Sequence, residues 1–382
     1  MNNIEAATAL DSLRPYTDAE IPAAMRRMAA DPTLDEVVAF AFPGVDPGAV
    51  REKLLQVRSA DGFQQAFVQP MLENIIRSSS SGFTFGGERN IGRGEGHLFI
   101  SDHRDIVLDG ALLQLVLIYS GLPTSEITFG SNLVISGFVE DFGRSNKMYK
   151  IIRGGSGRDL VRNSHILSDH IHEVVGEGRS IWISQRDGRT KDGDDRTDQG
   201  LVKMLTLGGE GSPAEALDRL HIVPFAVSYE YESCDALKAR EIYVRRRAAY
   251  EKAPGEDLRS IITGVKQPKG AIHIEVCPPL RSEELTELAA GEGGNDMIRG
   301  VAALIDRRIY EAYRLFPTNY IAYDIRSGSD AYRGREYGAR QREEFVAYLK
   351  GSVAAVAGDP DELFDIMVDI YANPVKNKLA LG

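Results

Sequence analysis

The chain has 382 residues, 43% of them hydrophobic and 26% charged, with a formal net charge of −11 and two cysteines. That length exceeds one ordinary compact core, so a central domain with extensions is expected. The acidic balance argues against general nucleic-acid binding, and Cys234 and Cys277 are too few for a disulfide framework and lack metal-ligand spacing. The longest nearly unbroken apolar run, Ala111 to Tyr119, falls short of the roughly 20 residues of a bilayer crossing. The first residues, Met1 to Ala7, lack the basic and apolar regions of a signal peptide, so a cytoplasmic location is expected.

Residues 1–77 read as an N-terminal helical segment. Thr17-Asp18-Ala19-Glu20 has the form of a capping box, and Asp46-Pro47 opens a helix carrying Val50, Leu54, Leu55 and Val57. Residues 78–96 are rich in Ser and Gly around Phe83 and Phe85 and read as a loop. From residue 97 short apolar strands alternate with helices: strands at 97–101, 127–130, 147–152, 180–184, 221–229 and 271–276, helices at 110–120, 159–175 and 197–207. This alternation predicts an α/β domain over 78–280, a mostly parallel mixed sheet flanked by helices, with its sites at the strand ends. Residues 281–382 read as a C-terminal helical extension, with helices at 281–290, 296–314, 334–357 and 361–371.

Four blocks place polar residues where a sheet-end pocket needs them. The first, Leu98 to Gly110, brings His103 with Asp102, Asp105 and Asp109 to the start of an apolar helix. A neutral imidazole held by a carboxylate takes a proton from a hydroxyl near pH 7; the plainer reading is a turn His beside a helix cap. The second runs from Met148 to Gly157, a strand ending in Arg153 before a Gly-rich loop. Such an Arg holds a phosphate bidentately, or else is a solvated strand end. The third, Ile181 to Gly193, leads into Asp187, Gly188, Arg189 and Lys191. Asp187 is suited to orient Arg189, and the two cations to bind phosphate; a polar Asp-Gly turn is the alternative. In the fourth, His221 to Tyr231, Pro224 and Tyr229 read first as core, with Tyr229 as a pocket wall second. Arg245, Arg246, Arg247, Lys266 and Lys269 are further cations available to an anion pocket.

In this order the four blocks resemble the glycerophospholipid acyltransferase family, and within it most the glycerol-3-phosphate and 1-acylglycerol-3-phosphate acyltransferases. The resemblance spans residues 98–232. It implies His103 as general base, Asp109 as its orienting partner, and Arg153, Asp187, Gly188, Arg189 and Lys191 around the substrate. Five residues separate His103 from Asp109 where the family has four, which leaves Asp105 as the other candidate partner; Asp109 is favoured because the helix after it continues in the family's pattern. Asp187 stands where the family has Glu, and one residue is missing between Gly188 and Arg189. The implied reaction moves a fatty acyl group from acyl-CoA or an acyl-carrier protein to a hydroxyl of glycerol 3-phosphate or its monoacyl form, in phospholipid biosynthesis. It calls for no cofactor and no metal. It also implies peripheral contact with the inner face of a membrane, through Phe83 and Phe85 or a face of the N-terminal helices. The alternatives are a non-catalytic lipid- or acyl-binding module of the same fold and transfer to a non-phosphate lipid. His103-Arg104-Asp105 and Asp141-Phe142-Gly143 also spell two protein-kinase tripeptides, but Gly110 stands where the kinase loop needs Asn.

Overall fold

In the computed structural model, residues 11–291 and 293–382 are described; Met1 to Ala7, on which the leader reading rests, lie outside them. Seven strands form one sheet: β1 (Gly82–Gly86), β2 (Leu98–Ser101), β3 (Glu126–Gly130), β4 (Met148–Ile151), β5 (Ile181–Ser184), β6 (Val223–Tyr229) and β7 (Ala271–Val276). Their order is β1-β7-β6-β2-β5-β3-β4. Every neighbouring pair is parallel except β6 and β7. The chain is thus an α/β protein with a mostly parallel mixed sheet, as the alternation predicts.

The central strands read as unbroken apolar runs because both faces are covered. Phe99, Trp182, Phe225 and Val227 pack into one core with the N-terminal helices α1 (Ile21–Ala30) to α5 (Gln69–Ser79) and with α6 (Leu108–Tyr119). Leu98, Ile100, Ile181, Ile183 and Ala226 pack into a second core with α8 (Gly157–Gly176), α9 (Gln199–Leu205), α13 (Ser282–Ala289) and α14 (Gly294–Ala312). Between these elements lie α7 (Gly137–Ser145), α10 (Pro213–Asp218), α11 (Asp235–Arg245) and α12 (Glu256–Lys266). A third core joins α11 to α15 (Pro317–Ser327), α16 (Ala339–Ala354) and α17 (Pro360–Leu379) around Phe345, Leu349, Met367 and Tyr371. Each fully buried side chain of this size is worth about 1.5–3 kcal/mol relative to exposure.

Several local expectations are corrected. The stretch 78–96 is not all loop: Gly82 to Gly86 pairs along β7 as an edge strand, and Phe83 and Phe85 lie half-buried against the first core. Its Gly-Phe-Thr-Phe-Gly alternation has the period of a strand despite the Ser- and Gly-rich surroundings. The Thr17–Glu20 box is half formed. Glu20 accepts the Thr17 N–H at 2.7 Å, but the Thr17 hydroxyl donates to the same carboxylate, and α1 starts only at Ile21. Asp46 caps α3 (Pro47–Gln56) by accepting from Gly48 and Ala49, although Leu55 stands exposed. α7, α10, α11, α12 and α15 were not expected; they are short, 6 to 11 residues each. α17 runs on through Pro374 to Leu379 rather than stopping at Tyr371. Among the described residues no helix is long and apolar enough to cross a membrane.

Candidate active site

β2 ends at Ser101, and the six residues to Leu108 turn the chain into α6. Asp109, in the first turn of α6, organises this turn. Its Oδ2 accepts the backbone N–H groups of Arg104 at 2.7 Å and Asp105 at 2.8 Å and lies 3.1 Å from His103 Nδ1. Its Oδ1 accepts the Tyr229 hydroxyl at 3.0 Å. A helix N-terminus is where a carboxylate and unpaired N–H groups satisfy each other. Asp105 faces elsewhere: it caps α6 by accepting from Val107 at 2.8 Å and Leu108 at 2.9 Å, and it takes the Ser233 hydroxyl. The imidazole of His103 also meets Trp182 edge to face, with centroids 6.3 Å apart.

Two backbone relations make the turn possible. Gly110 lets α6 descend onto β5, since a Cβ there would stand 2.8 Å from the Trp182 ring. The Thr190 N–H donates to the His103 carbonyl at 2.7 Å, which docks the loop after β5 against the loop after β2.

The docking brings the blocks together. A cavity of about 530 Å³ is lined by His103, Arg153, Asp187, Gly188, Arg189 and Lys191, with Arg186, Arg245 and Lys252 also on its wall. Asp109 is fully buried behind His103. The cations differ in how they are engaged. Arg153 forms an ion pair with Asp187, so Asp187 reaches Arg153 rather than orienting Arg189. Lys191 pairs with Glu241 at 2.8 Å, and burial, followed by the Arg189 charge, brings its ammonium down to about 8. Arg189 is 9% exposed and its Nη1 is buried with no hydrogen-bond partner among the described residues. Of the other cations considered, only Arg245 reaches this wall. Arg246 and Arg247 pair with Glu362, Lys266 lies over Phe40, and Lys269 is buried against Ser79 and two backbone carbonyls. The sequence around Arg246, Arg247 and Lys266 gave no sign of Glu362 or Phe40.

Burial pushes the His103 imidazole down to about 3, with the Arg189 charge the next cause, so the ring is neutral near pH 7. Burial and the neighbouring Asp105 push the Asp109 carboxyl up to about 8, against the two N–H groups and the Tyr229 hydroxyl that favour its anion. The cations facing the cavity act on His103 in the same direction as its burial, and the neutral ring is the state they select. With Nδ1 turned to Asp109, Nε2 is the nitrogen left to act as a base.

Beneath the turn lies a charged layer that the sequence did not reveal. The Arg104 guanidinium meets Asp102 at 2.7 Å, Asp195 at 2.6 Å and Glu232 at 3.0 Å, all buried. Lys238 adds a second cation, pairing with Glu232 and donating to the Arg104 carbonyl at 2.8 Å. Asp102 is in turn fixed to β6 by the Val227 N–H at 2.8 Å. Asp102 is two positions from Arg104 and Glu232 six from Lys238, but the contacts that join these pairs into one layer span 91 to 134 positions, which is why no local pattern announced them. A larger cavity of about 800 Å³, lined by Glu284, Asp306, Arg307 and Tyr310, lies elsewhere and contains no histidine.

A scan against protein-family models found no match for this sequence. A search of curated proteins found none either. Among solved structures, the chain is similar to the 1-acyl-sn-glycerophosphate (LPA) acyltransferase PlsC from Thermotoga maritima, at 11% identity and a TM-score of 0.41, over 76% of this chain and 94% of that one. A likeness at that level leaves the reaction to be argued from the site itself.

Proposed function

We propose that the chain is an O-acyltransferase that moves a fatty acyl group from an acyl thioester, acyl-CoA or an acyl-carrier protein, to a hydroxyl of glycerol 3-phosphate or 1-acylglycerol 3-phosphate. The observation that carries this reading is one shared cavity: a neutral imidazole anchored by a buried carboxylate opens into the same space as Arg189, whose Nη1 has no hydrogen-bond partner among the described residues. A base beside an anion receptor suits an acceptor that carries both a hydroxyl and a phosphate.

In the proposed reaction the acceptor hydroxyl gives its proton to His103 Nε2 as its oxygen attacks the thioester carbonyl. Asp109, whose anion is favoured by the two backbone N–H groups, by the Tyr229 hydroxyl and by the positive ring as it forms, steadies the imidazolium. The tetrahedral adduct collapses with cleavage of the C–S bond, and the proton passes from His103 to the departing thiolate. Arg189 receives the acceptor phosphate, Arg153 joins it by exchanging Asp187 for the ligand, and Lys191 closes the wall. Gly188, at φ +72, permits the turn that presents Arg189. No covalent enzyme intermediate is needed, and no resident cofactor or metal. The product being a lipid, we place the protein at the cytoplasmic face of a membrane as a peripheral partner.

The test measures thiol release from a long-chain acyl-CoA with a panel of acceptors, for the wild type and His103→Ala. Acceptor-dependent release that falls on the order of 10²–10⁴-fold in the variant is expected, the usual cost of a general base. Tight acyl-CoA binding with no turnover of any acceptor would instead identify a lipid- or acyl-binding module, and near-normal turnover by His103→Ala would remove the histidine from the mechanism.

A further inference from the structure

Six of the large apolar side chains that stand in solvent, Ile135, Ile152, Leu160, Val161, Leu258 and Ile262, each 39–60% exposed, lie on the segments that leave the cavity wall. Their placement follows from the cavity wall. Leu133, Arg153 and Asp257 line the cavity that holds His103. Ile135 lies two residues beyond Leu133, Ile152 precedes Arg153, and Leu258 follows Asp257. Leu160 and Val161 sit at the start of α8, just past the Gly-rich loop after Arg153. Asn132 donates to Asp257 at 2.9 Å and so ties the loop after β3 to α12. Ile135, Ile152 and Leu258 therefore lie within two residues of the cavity wall, and Leu160, Val161 and Ile262 stand on the helices that lead away from it. One turn of helix separates Leu258 from Ile262 and another separates Ile262 from Lys266, whose ammonium lies 5.2 Å from the ring of the exposed Phe40. Exposed aliphatic side chains concentrated on the segments around one cavity point to an interaction surface.

The charges among them are uneven. Asp159, Glu256 and Asp257 are engaged: Asp159 caps α8 through Ser156, Glu256 accepts from Tyr250 and Ala253, and Asp257 accepts from Lys252 and Asn132. Arg158 and Arg259, both exposed, make no ion pair among the described residues. In a chain of net charge −11, unpaired cations interleaved with exposed aliphatic side chains are the pattern of a face that enters an anionic lipid surface.

We infer that this rim is the bilayer-docking face, with Ile135, Val161 and Ile262 entering the headgroup layer and Arg158 and Arg259 meeting lipid phosphates, so that the cavity opens onto the membrane. The inference deepens the acyltransferase reading and rests on it for why a lipid surface is met there. It moves the contact away from Phe83 and Phe85, which are half-buried, and from the far face of the N-terminal helices.

Sedimentation with phosphatidylcholine vesicles, with and without phosphatidylglycerol, tests it on the full chain. The wild type is expected to bind the anionic vesicles and to release in high salt. The double variant Val161→Glu/Ile262→Glu should bind on the order of tenfold more weakly, while Leu55→Glu, at an exposed apolar position on α3 (Pro47–Gln56), should bind as the wild type does. All the altered positions are exposed, and a thermal melt checks folding. Absence of wild-type binding, undiminished binding by the double variant, loss of binding in Leu55→Glu instead, or a dimer that the double variant splits without any vesicle binding would each overturn the inference. With a short-chain acyl-CoA and glycerol 3-phosphate in solution, the double variant should retain wild-type turnover. If vesicle binding depends on the rim while the wild type turns over no acceptor, the docking face stands and the acyltransferase reading falls.

Discussion

The Tyr229 hydroxyl donates to Asp109 Oδ1 at 3.0 Å, on the oxygen opposite the one that faces His103. The carboxylate is therefore gripped at the C-terminal ends of two adjacent parallel strands, by the turn after β2 and by the last residue of β6. Tyr229→Phe keeps the ring in the core and leaves Oδ1 without a donor. It is expected to cost about 1–3 kcal/mol in urea denaturation and to slow acyl transfer on the order of tenfold by loosening the base. Unchanged stability and rate would show the hydroxyl to be idle.

Arg189 reaches the cavity wall with one nitrogen, Nη1, that has no hydrogen-bond partner among the described residues. Replacing it by Lys keeps the charge but not the planar fork. Arg189→Lys should raise KM for a phosphate-bearing acceptor by roughly 10- to 100-fold, the equivalent of a lost charged hydrogen bond, and leave KM for the acyl thioester close to normal. An equal rise for a phosphate-free alcohol would refute phosphate recognition.

The pH response of His103 follows from its surroundings. An unfolded histidine titrates near 6.5 and the folded one at about 3. Between those values the unfolded chain binds the additional proton, so this group's contribution to stability is whole above pH 6.5 and is lost as pH falls toward 3. The ring resonances of His103, followed by NMR, should stay at their neutral positions down to pH 5. Arg189→Gln removes the largest charge that lowers this pKa, so its titration should move upward. A wild-type midpoint near 6.5 would show the ring to be more hydrated than its packing implies.

Arg104 is shared by three buried carboxylates. Arg104→Met leaves them facing one another with Lys238 as the remaining cation. Breaking a buried ion network from one side costs about 3–5 kcal/mol, and urea denaturation of this variant should show a loss of that size. A loss below about 1 kcal/mol, as for a surface pair, would mean that the layer is neutralised by protonation.

How far the sequence was legible depends on how local each signal was. β2 to β7 were readable because buried parallel strands are short apolar runs, and the turn carrying His103 because its carboxylates and the following apolar helix are contiguous. Arg153, Asp187 and Arg189 were found as strand-end residues, but not that Arg153 and Asp187 face each other across 34 positions. Tyr229 read as core, and it is core; only the fold brings its hydroxyl to Asp109, 120 positions away. Glu232, Asp195 and Lys238 gave no signal, since a buried charge looks like a surface charge until its partner is known. α12 was missed although Leu258, Ile261, Ile262 and Val265 recur at helical spacing; what the sequence could not show is that Leu258 and Ile262 face solvent.

The continuation of α17 beyond Pro374 has a consequence for the loop that bears Arg189 and Lys191. Proline donates no N–H to the Ile370 carbonyl, and it is against this oxygen that Gly193, at φ +75, closes so tightly that a Cβ would stand 2.1 Å away. Asn373 adds a hydrogen bond to the Asp192 carbonyl at 2.8 Å, across 181 positions. The mould for the loop is thus laid down long after the loop itself. A nascent chain that has already synthesised all seven strands still lacks the surface on which this segment sets, so the sheet can exist before its anion receptor does.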